Sequence, residues 1–298
     1  MTEENAIDNK EESEDDEIIK EEIKIQYHWY FIGFVTTYFL TWAIPGVIFF
    51  LYIFFAFVPF FLETTNFFLI FTELGPLLSL ISFPLVIVIC DVLHLVIATA
   101  VTRFWWNISQ NVSPTKDGII PRNIRSTTSN LYHIRSFLIK YPKYAITKGM
   151  FPWLFNWAFN SIGATKIGKG STIEEQVVGD RLVEVGDNCY VGPNASLASH
   201  LVEGIFGNIY YFTVRLGDNC TVGAETALAP GSELEDNSYI FPCAASLKFT
   251  QNKGFNYYFG MPIRKIFSRK IKDYLDLTKE DLKRSEELEL RYKERNEK

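Results

Sequence analysis

Residues Val183 to His200 read VEVGDNCYVGPNASLASH. Val185, Val191 and Leu197 stand six positions apart, Gly186 and Gly192 follow the first two, and Cys189 and Ala195 fall four residues after them. The same beat extends outward to Ile167 and Ile173, and onward to Leu216, Val222, Leu228, Leu234 and Ile240. Gly168, Gly217 and Gly223 keep the glycine place, and Ser171, Cys220, Thr226, Ser232, Ser238 and Ala244 keep the small one. A period of six fits neither a helix nor the two-residue alternation of a half-buried strand. It fits a solenoid with three flat faces per coil, one hexad to a face. The apolar residue should fill the interior, the small one fit beside it, and the glycine permit a tight corner.

The beat breaks once. From Leu197 to Leu216 is nineteen positions, one more than three hexads, so the phase shifts by one and part of residues 198–215 must leave the wall. That stretch holds His200, the only histidine of the solenoid, with Glu203, Asn208, Tyr210, Tyr211 and Arg215. Chemistry concentrates where loops leave a rigid scaffold. An imidazole that is neutral near pH 7 suits a general base, so His200 is the candidate catalytic residue. Glu203 is a candidate to orient the ring or touch a substrate, and Ser199 stands beside it. Asn194 is either a ligand contact or a turn residue of the coil.

Upstream, Trp29 to Leu62 and about Leu74 to Trp106 are almost wholly apolar, each longer than the roughly 20 residues that cross a bilayer. Pro45-Gly46 and Pro59 should kink the first run, and Pro76 and Pro84 bend the second. The linker around Glu63 to Glu73 has no Lys or Arg, whereas Arg103, Lys116, Arg122, Arg125 and Arg135 follow the second run. The positive-inside rule then puts both termini and the solenoid in the cytosol. Asp91 and His94, three apart in the second run, share one helical face. They read as a polar site or as a mutually hydrogen-bonded pair sealing a helix contact.

The chain divides into an acidic tail (1–26), a transmembrane hairpin (27–108), an amphipathic connector (109–160), the solenoid (161–266) and a charged C-terminal helix (267–298). Residues 1–24 carry eleven carboxylates against three lysines, too little apolar surface to order a fold. In the connector, Phe151 to Trp157 is amphiphilic enough to lie among headgroups, and His133 and Arg135 read as surface or interface groups. With a net charge of −6 and no strongly basic face, nucleic acid is not an expected partner. The four cysteines form no CxxC pair and no cluster with histidine, so no metal is expected. Arg264, Lys265, Arg269, Lys270 and Lys272 follow the last hexads and would meet either the phosphates of a donor or anionic headgroups.

The order of motifs resembles the hexapeptide-repeat acyltransferases, whose fold is a left-handed parallel β-helix. Gly186-Asp187-Asn188, then Gly192-Pro193-Asn194, lead to a loop bearing His200; Gly217-Asp218-Asn219 follows, and Gly260-Met261-Pro262-Ile263-Arg264 stands where a Gly-x-Pro-Ala-Lys signature closes the family's coils. The likeness is strongest to the sugar and antibiotic O-acetyltransferase branch. With its membrane runs, the whole chain is similar to the C-terminal modules of polylysine-synthetase-type nonribosomal peptide synthetases. The resemblance implies acyl or aminoacyl transfer to a hydroxyl or amine, His200 as base, Asp180 as an acceptor contact, acyl-CoA or another acyl thioester as donor, and a homotrimer with sites between subunits. Thr221 replaces a tryptophan common among acetyl-CoA users, and Ile263-Arg264 replaces Ala-Lys. Two other functions fit the same fold. One is a non-catalytic trimeric membrane assembly module. The other is a carbonic-anhydrase-like metal enzyme, which needs three histidine ligands where this solenoid supplies one.

Overall fold

The computed structural model describes residues 27–124, 126–174 and 181–266 and positions 280, 283, 287 and 290. The acidic tail, Asp180 and nearly all of the C-terminal charged segment lie outside the described residues. The chain forms two compact units, one built on the apolar helices together with residues 200–211, the other on the hexads.

In the helical unit, α1 (Tyr27–Tyr52) runs on into a π-helical stretch, Ile53–Leu62. Helix α1 continues through Pro45, and the wider winding begins at Ile53, ahead of Pro59. A short α2 (Leu69–Thr72) turns the chain into α3 (Leu74–Val112), 39 residues long with Pro84 inside it. Pro76 sits in the first turn of α3, where its missing N–H costs nothing. The two long helices lie antiparallel. Trp105 Nε1 donates to Thr36 Oγ1 at 3.0 Å near one end, and Tyr52 meets Ser79 O and Ser82 Oγ near the other. Most large apolar side chains between Val47 and Val92 are exposed, and both helices are long and apolar enough to cross a membrane.

Strand β1 (Gly118–Ile120) precedes α4 (Thr127–Thr147), which is capped by Ser126 Oγ accepting from Ser129 N. Arg135 of α4 is 3% exposed, an interface group and not a surface one. Its Nε donates to Ser109 Oγ at 2.8 Å and its Nη2 to Ser109 O at 2.6 Å and to Ser113 O, with the guanidinium 5.7 Å from the Trp106 ring. The arginine thus adds a second donor to Ser109 O, which already accepts from Ser113 N, and supplies one to Ser113 O just past the end of α3, tying α4 to that end.

The second unit starts with Pro152–Asn160, most of which lies in α5 (Phe155–Ile162). Phe155 and Phe159 stack at 4.3 Å and are fully buried. Asn156 donates to Ser171 O, and Asn160 exchanges two bonds with Ile167. The segment expected among headgroups therefore caps the first coil, as a solenoid end requires. Trp153 and Trp157 remain exposed.

The coils follow the hexads. One face stacks β2 (Lys166–Ile167), β4 (Val183–Val185), β9 (Val214–Leu216), β12 (Glu233–Leu234) and β14 (Gln251–Asn252) in parallel. The next stacks β3 (Thr172–Ile173), β5 (Tyr190–Val191), β10 (Thr221–Val222), β13 (Tyr239–Ile240) and β15 (Tyr257–Phe259). The third pairs β6 (Ser196–Leu197) with β11 (Ala227–Leu228), and Ala227 with Ala245. Val191, Leu197, Val222, Leu228, Leu234 and Ile240 are at most 1% exposed, so the apolar beat is the interior.

Two features of the hexad have causes different from those the spacing suggests. The turning residue is not the glycine after the apolar position. It lies three places past the apolar residue, where Gly170, Asn188, Asn194, Asn219, Glu225, Gly231, Asn237 and Cys243 all have positive φ. The glycines instead let successive coils approach. A Cβ on Gly217 would run into Asp236, and one on Gly223 would lie 2.5 Å from Pro242 N. The small position is also a donor. Ser171, Cys220, Thr226, Ser232 and Ser238 each hydrogen-bond a carbonyl fifteen residues on, in the following coil.

Candidate active site

The step between coils is 18 residues, except across the break, where Val185 pairs with Leu216, 31 positions on. The thirteen extra residues are an ordered hairpin. Strand β7 (His200–Glu203) pairs antiparallel with β8 (Asn208–Tyr211), and β1 adds to the outer edge of β8. Gly204 and Gly207 take positive φ in the turn between β7 and β8, and Ile205 at its tip is 98% exposed.

His200 begins β7 directly opposite Tyr211. Tyr132 of α4 lies edge-on to both rings, 5.8 Å from His200 and 5.4 Å from Tyr211. The imidazole is half-buried, with Nδ1 shielded from solvent. Two tyrosine rings, from α4 and β8, pack edge-on against the imidazole, so the orientation of any proton transfer at His200 is set by packing. Tyr210 and Tyr211 are legible as members of the excursion; Tyr132 lies some 70 residues upstream, where no break in the repeat singles it out.

The other candidate residues do not gather round this ring. Side chains alternate along a strand, which sets Glu203, three residues on and paired with Asn208, on the face opposite His200. Ser199 is buried and donates to Arg181 O at 2.7 Å. Asn194 is an exposed corner residue with φ of 56°, one member of the turn series above. Its place is explained by the left-handed backbone that asparagine tolerates. Arg264 and Lys265 lie exposed on β16 (Arg264–Lys265), antiparallel to β15. Asp180 and the cations beyond residue 266 lie outside the described residues. The aspartates of the Gly-Asp-Asn motifs are structural: Asp187 and Asp218, like Asp236 of Glu235-Asp236-Asn237, each accept from a backbone N–H of the preceding coil. Asn188, Asn219 and Asn237 form a parallel amide ladder. Cys189 and Cys220 face each other inside the coil. Their thiols donate to Gly217 O and Glu235 O, and the neighbouring Cys189 sulfur, with burial behind it, pushes the Cys220 thiol far above its ordinary range, so it is no nucleophile. Among the described residues no group of histidine, cysteine and carboxylate could hold a metal ion.

A second histidine centre lies in the helical unit. Pro45 has no N–H, which leaves Thr41 O without its helical donor. His94 Nδ1 lies 3.1 Å from that oxygen, and Tyr141 Oη lies 2.8 Å from His94 Nε2. A carbonyl can only accept, so Nδ1 carries a proton and donates to Thr41 O, and Nε2 is engaged by the tyrosine hydroxyl. Trp42 covers the ring at 4.2 Å. Both nitrogens are thus committed, and His94 is not the hydrogen-bond partner of Asp91.

No protein family and no curated protein matches the chain. Solved structures do. A hexapeptide-repeat-containing acetyltransferase from Vibrio cholerae is similar at 15% identity over 35% of this chain and 62% of its own, with a TM-score of 0.33. A maltose O-acetyltransferase from Clostridium difficile 630 is similar at 17% identity over 56% of this chain and 86% of its own, with a TM-score of 0.32. A Neisseria gonorrhoeae serine acetyltransferase is similar at 12% identity over 59% of this chain and 55% of its own, with a TM-score of 0.35. The chain thus spans less than two thirds of the first and the third.

Proposed function

We propose that this protein is a membrane-anchored hexapeptide-repeat acyltransferase that moves an acyl or aminoacyl group from a thioester to a hydroxyl or amine, with His200 as general base. One observation carries the reading. In an otherwise regular coil, a single insertion lifts the solenoid's one histidine into an ordered hairpin and fixes its ring between Tyr132 and Tyr211. A solenoid needs no such device for stability, and a half-buried imidazole held by packing suits proton transfer at neutral pH. The imidazole would take the proton of the attacking hydroxyl or amine as the new C–O or C–N bond forms. The tetrahedral intermediate then collapses with loss of the thiolate, to which the imidazolium returns the proton. Acyl-CoA is the donor class we favour, and the exposed Arg264 and Lys265 offer charge for its phosphates. We read the coils as left-handed, the assembly as a homotrimer, and the two long helices as spans with the β-helix on the cytosolic side. Asp180 is kept as an acceptor contact on resemblance alone.

The test measures thiol release from a panel of acyl-CoA thioesters by full-length protein, with simple alcohols and amines as acceptors. His200→Ala should lower turnover by about 10²–10⁴-fold, the usual worth of a positioned general base. An unchanged rate in a variant that keeps its far-ultraviolet dichroism would remove His200 from the chemistry. Absence of turnover with every donor would favour the assembly module.

A further inference from the structure

We propose that a cavity of about 560 Å³ between α1, α3 and α4 binds the headgroup of a zwitterionic phospholipid, its ammonium at Asp91 and its phosphate at Lys140. The cavity is walled by Tyr38, Trp42, Tyr141 and Tyr144, with Asp91 and Lys140 facing the same space. Asp91 makes no hydrogen bond or ion pair among the described residues, and His94 beside it has both nitrogens engaged by Thr41 and Tyr141. Lys140 likewise has no carboxylate within ion-pair distance. A carboxylate against apolar walls calls for a cation, and aromatic faces add attraction for an ammonium. The two opposite charges of the cavity, unpaired with each other, match a ligand that carries both.

Depth supports this occupant. Helix α4 bears Lys140 and Lys143 and packs along α3 at the level of His94 and Leu95. A helix with those lysines belongs outside the hydrocarbon. The apolar core, about 30 Å thick, is then crossed by roughly residues 43–62 and 74–93, about 20 residues each. Asp91, Trp42 and the tyrosines fall at its edge, where amphipathic rings and headgroups meet. The inference stands apart from acyl transfer, since it concerns only the helical unit.

The experiment uses full-length protein in maltoside micelles and radiolabelled lysophosphatidylethanolamine. Lysophosphatidylglycerol supplies phosphate without ammonium, and dodecylamine supplies ammonium without phosphate. The zwitterion should bind saturably, one per chain, at least tenfold more tightly than either. Asp91→Asn should weaken it at least tenfold and leave lysophosphatidylglycerol unchanged. Lys140→Gln, at an exposed position that folding does not depend on, should weaken the zwitterion and leave dodecylamine unchanged. Equal binding of lysophosphatidylglycerol, equal binding of dodecylamine, or indifference to both substitutions overturns the proposal.

Discussion

The coils and the hairpin that interrupts them are built from the same kind of chain, yet they obey opposite rules. In the coils every position is dictated by the coil before and after it: interior apolar residue, small donor, left-handed corner, glycine at the point of closest approach. In the hairpin the backbone pairs only with itself and with β1, its tip is bare, and the ordered part is a trio of aromatic rings. A repetitive wall cannot vary one residue without disturbing its neighbours in the stack, whereas an inserted hairpin can carry a side chain that the wall has no place for. That contrast is the structural case for looking at His200 and not at the ladders of Asp and Asn.

The contrast breaks most clearly on truncation. Leu228 is 1% exposed inside the coil, and Leu228→Ala should cost about 2–5 kcal/mol, the range for a buried leucine whose surroundings cannot close. Val202 of the hairpin is 50% exposed, and Val202→Ala should stay within about 0.5 kcal/mol. Urea unfolding followed by dichroism distinguishes them. Equal losses would mean that the hairpin is as tightly embedded as the wall.

Glycines sharpen the same point at smaller scale. Gly217→Ala places a methyl against Asp236, whose backbone nitrogen would lie 2.7 Å away, so about 1–3 kcal/mol of overpacking is expected. Gly204 in the hairpin turn has open space around it but φ of 82°, so Gly204→Ala should cost about 1 kcal/mol from the left-handed backbone alone. Thermal unfolding should rank Gly217→Ala below Gly204→Ala; the reverse order would contradict the close-approach role.

Periodicity made the interior readable because burial on one side of a short strand needs only the residue's own chemistry. Val185, Val191 and Leu197 announce themselves, and the nineteen-position step to Leu216 announces a break. What a break contains depends on partners distant in sequence. Gly118-Ile119-Ile120 is too short a run to declare itself a strand, and it becomes one only because β8 offers a free edge. Arg135 could be read as a surface or an interface group, and only the oxygens at the end of α3, 22 and 26 residues away, decide for the interface. The two histidines divide in the same way. His200 could be singled out by its place in a broken repeat, whereas the commitment of His94 follows from a missing N–H at Pro45, 49 positions upstream. Glycine's role is hidden for a related reason: its decisive neighbour is the next coil, not the next residue.

The smallest effect concerns charge on the wall. Glu184 receives Lys166 Nζ at 2.6 Å and Arg215 Nε at 3.1 Å, from the coils on either side. The hydrogen bond from Lys166 holds its carboxyl below the ordinary 4.5; partial burial pushes back, and Arg215 adds to the lowering. A carboxyl with a depressed folded value stabilises the fold at pH above its unfolded value and loses that contribution as pH falls through the folded one. All three side chains are more than a third exposed, so solvent screening leaves at most about 1 kcal/mol. Glu184→Gln should therefore lower stability slightly at pH 7, by a gap that shrinks as the carboxyl protonates with falling pH and that narrows at pH 7 in 1 M salt. No comparable pH-linked difference should accompany Glu203→Gln in the hairpin. A larger effect there than at position 184 would show that charge on the excursion, and not on the wall, is what the fold depends on.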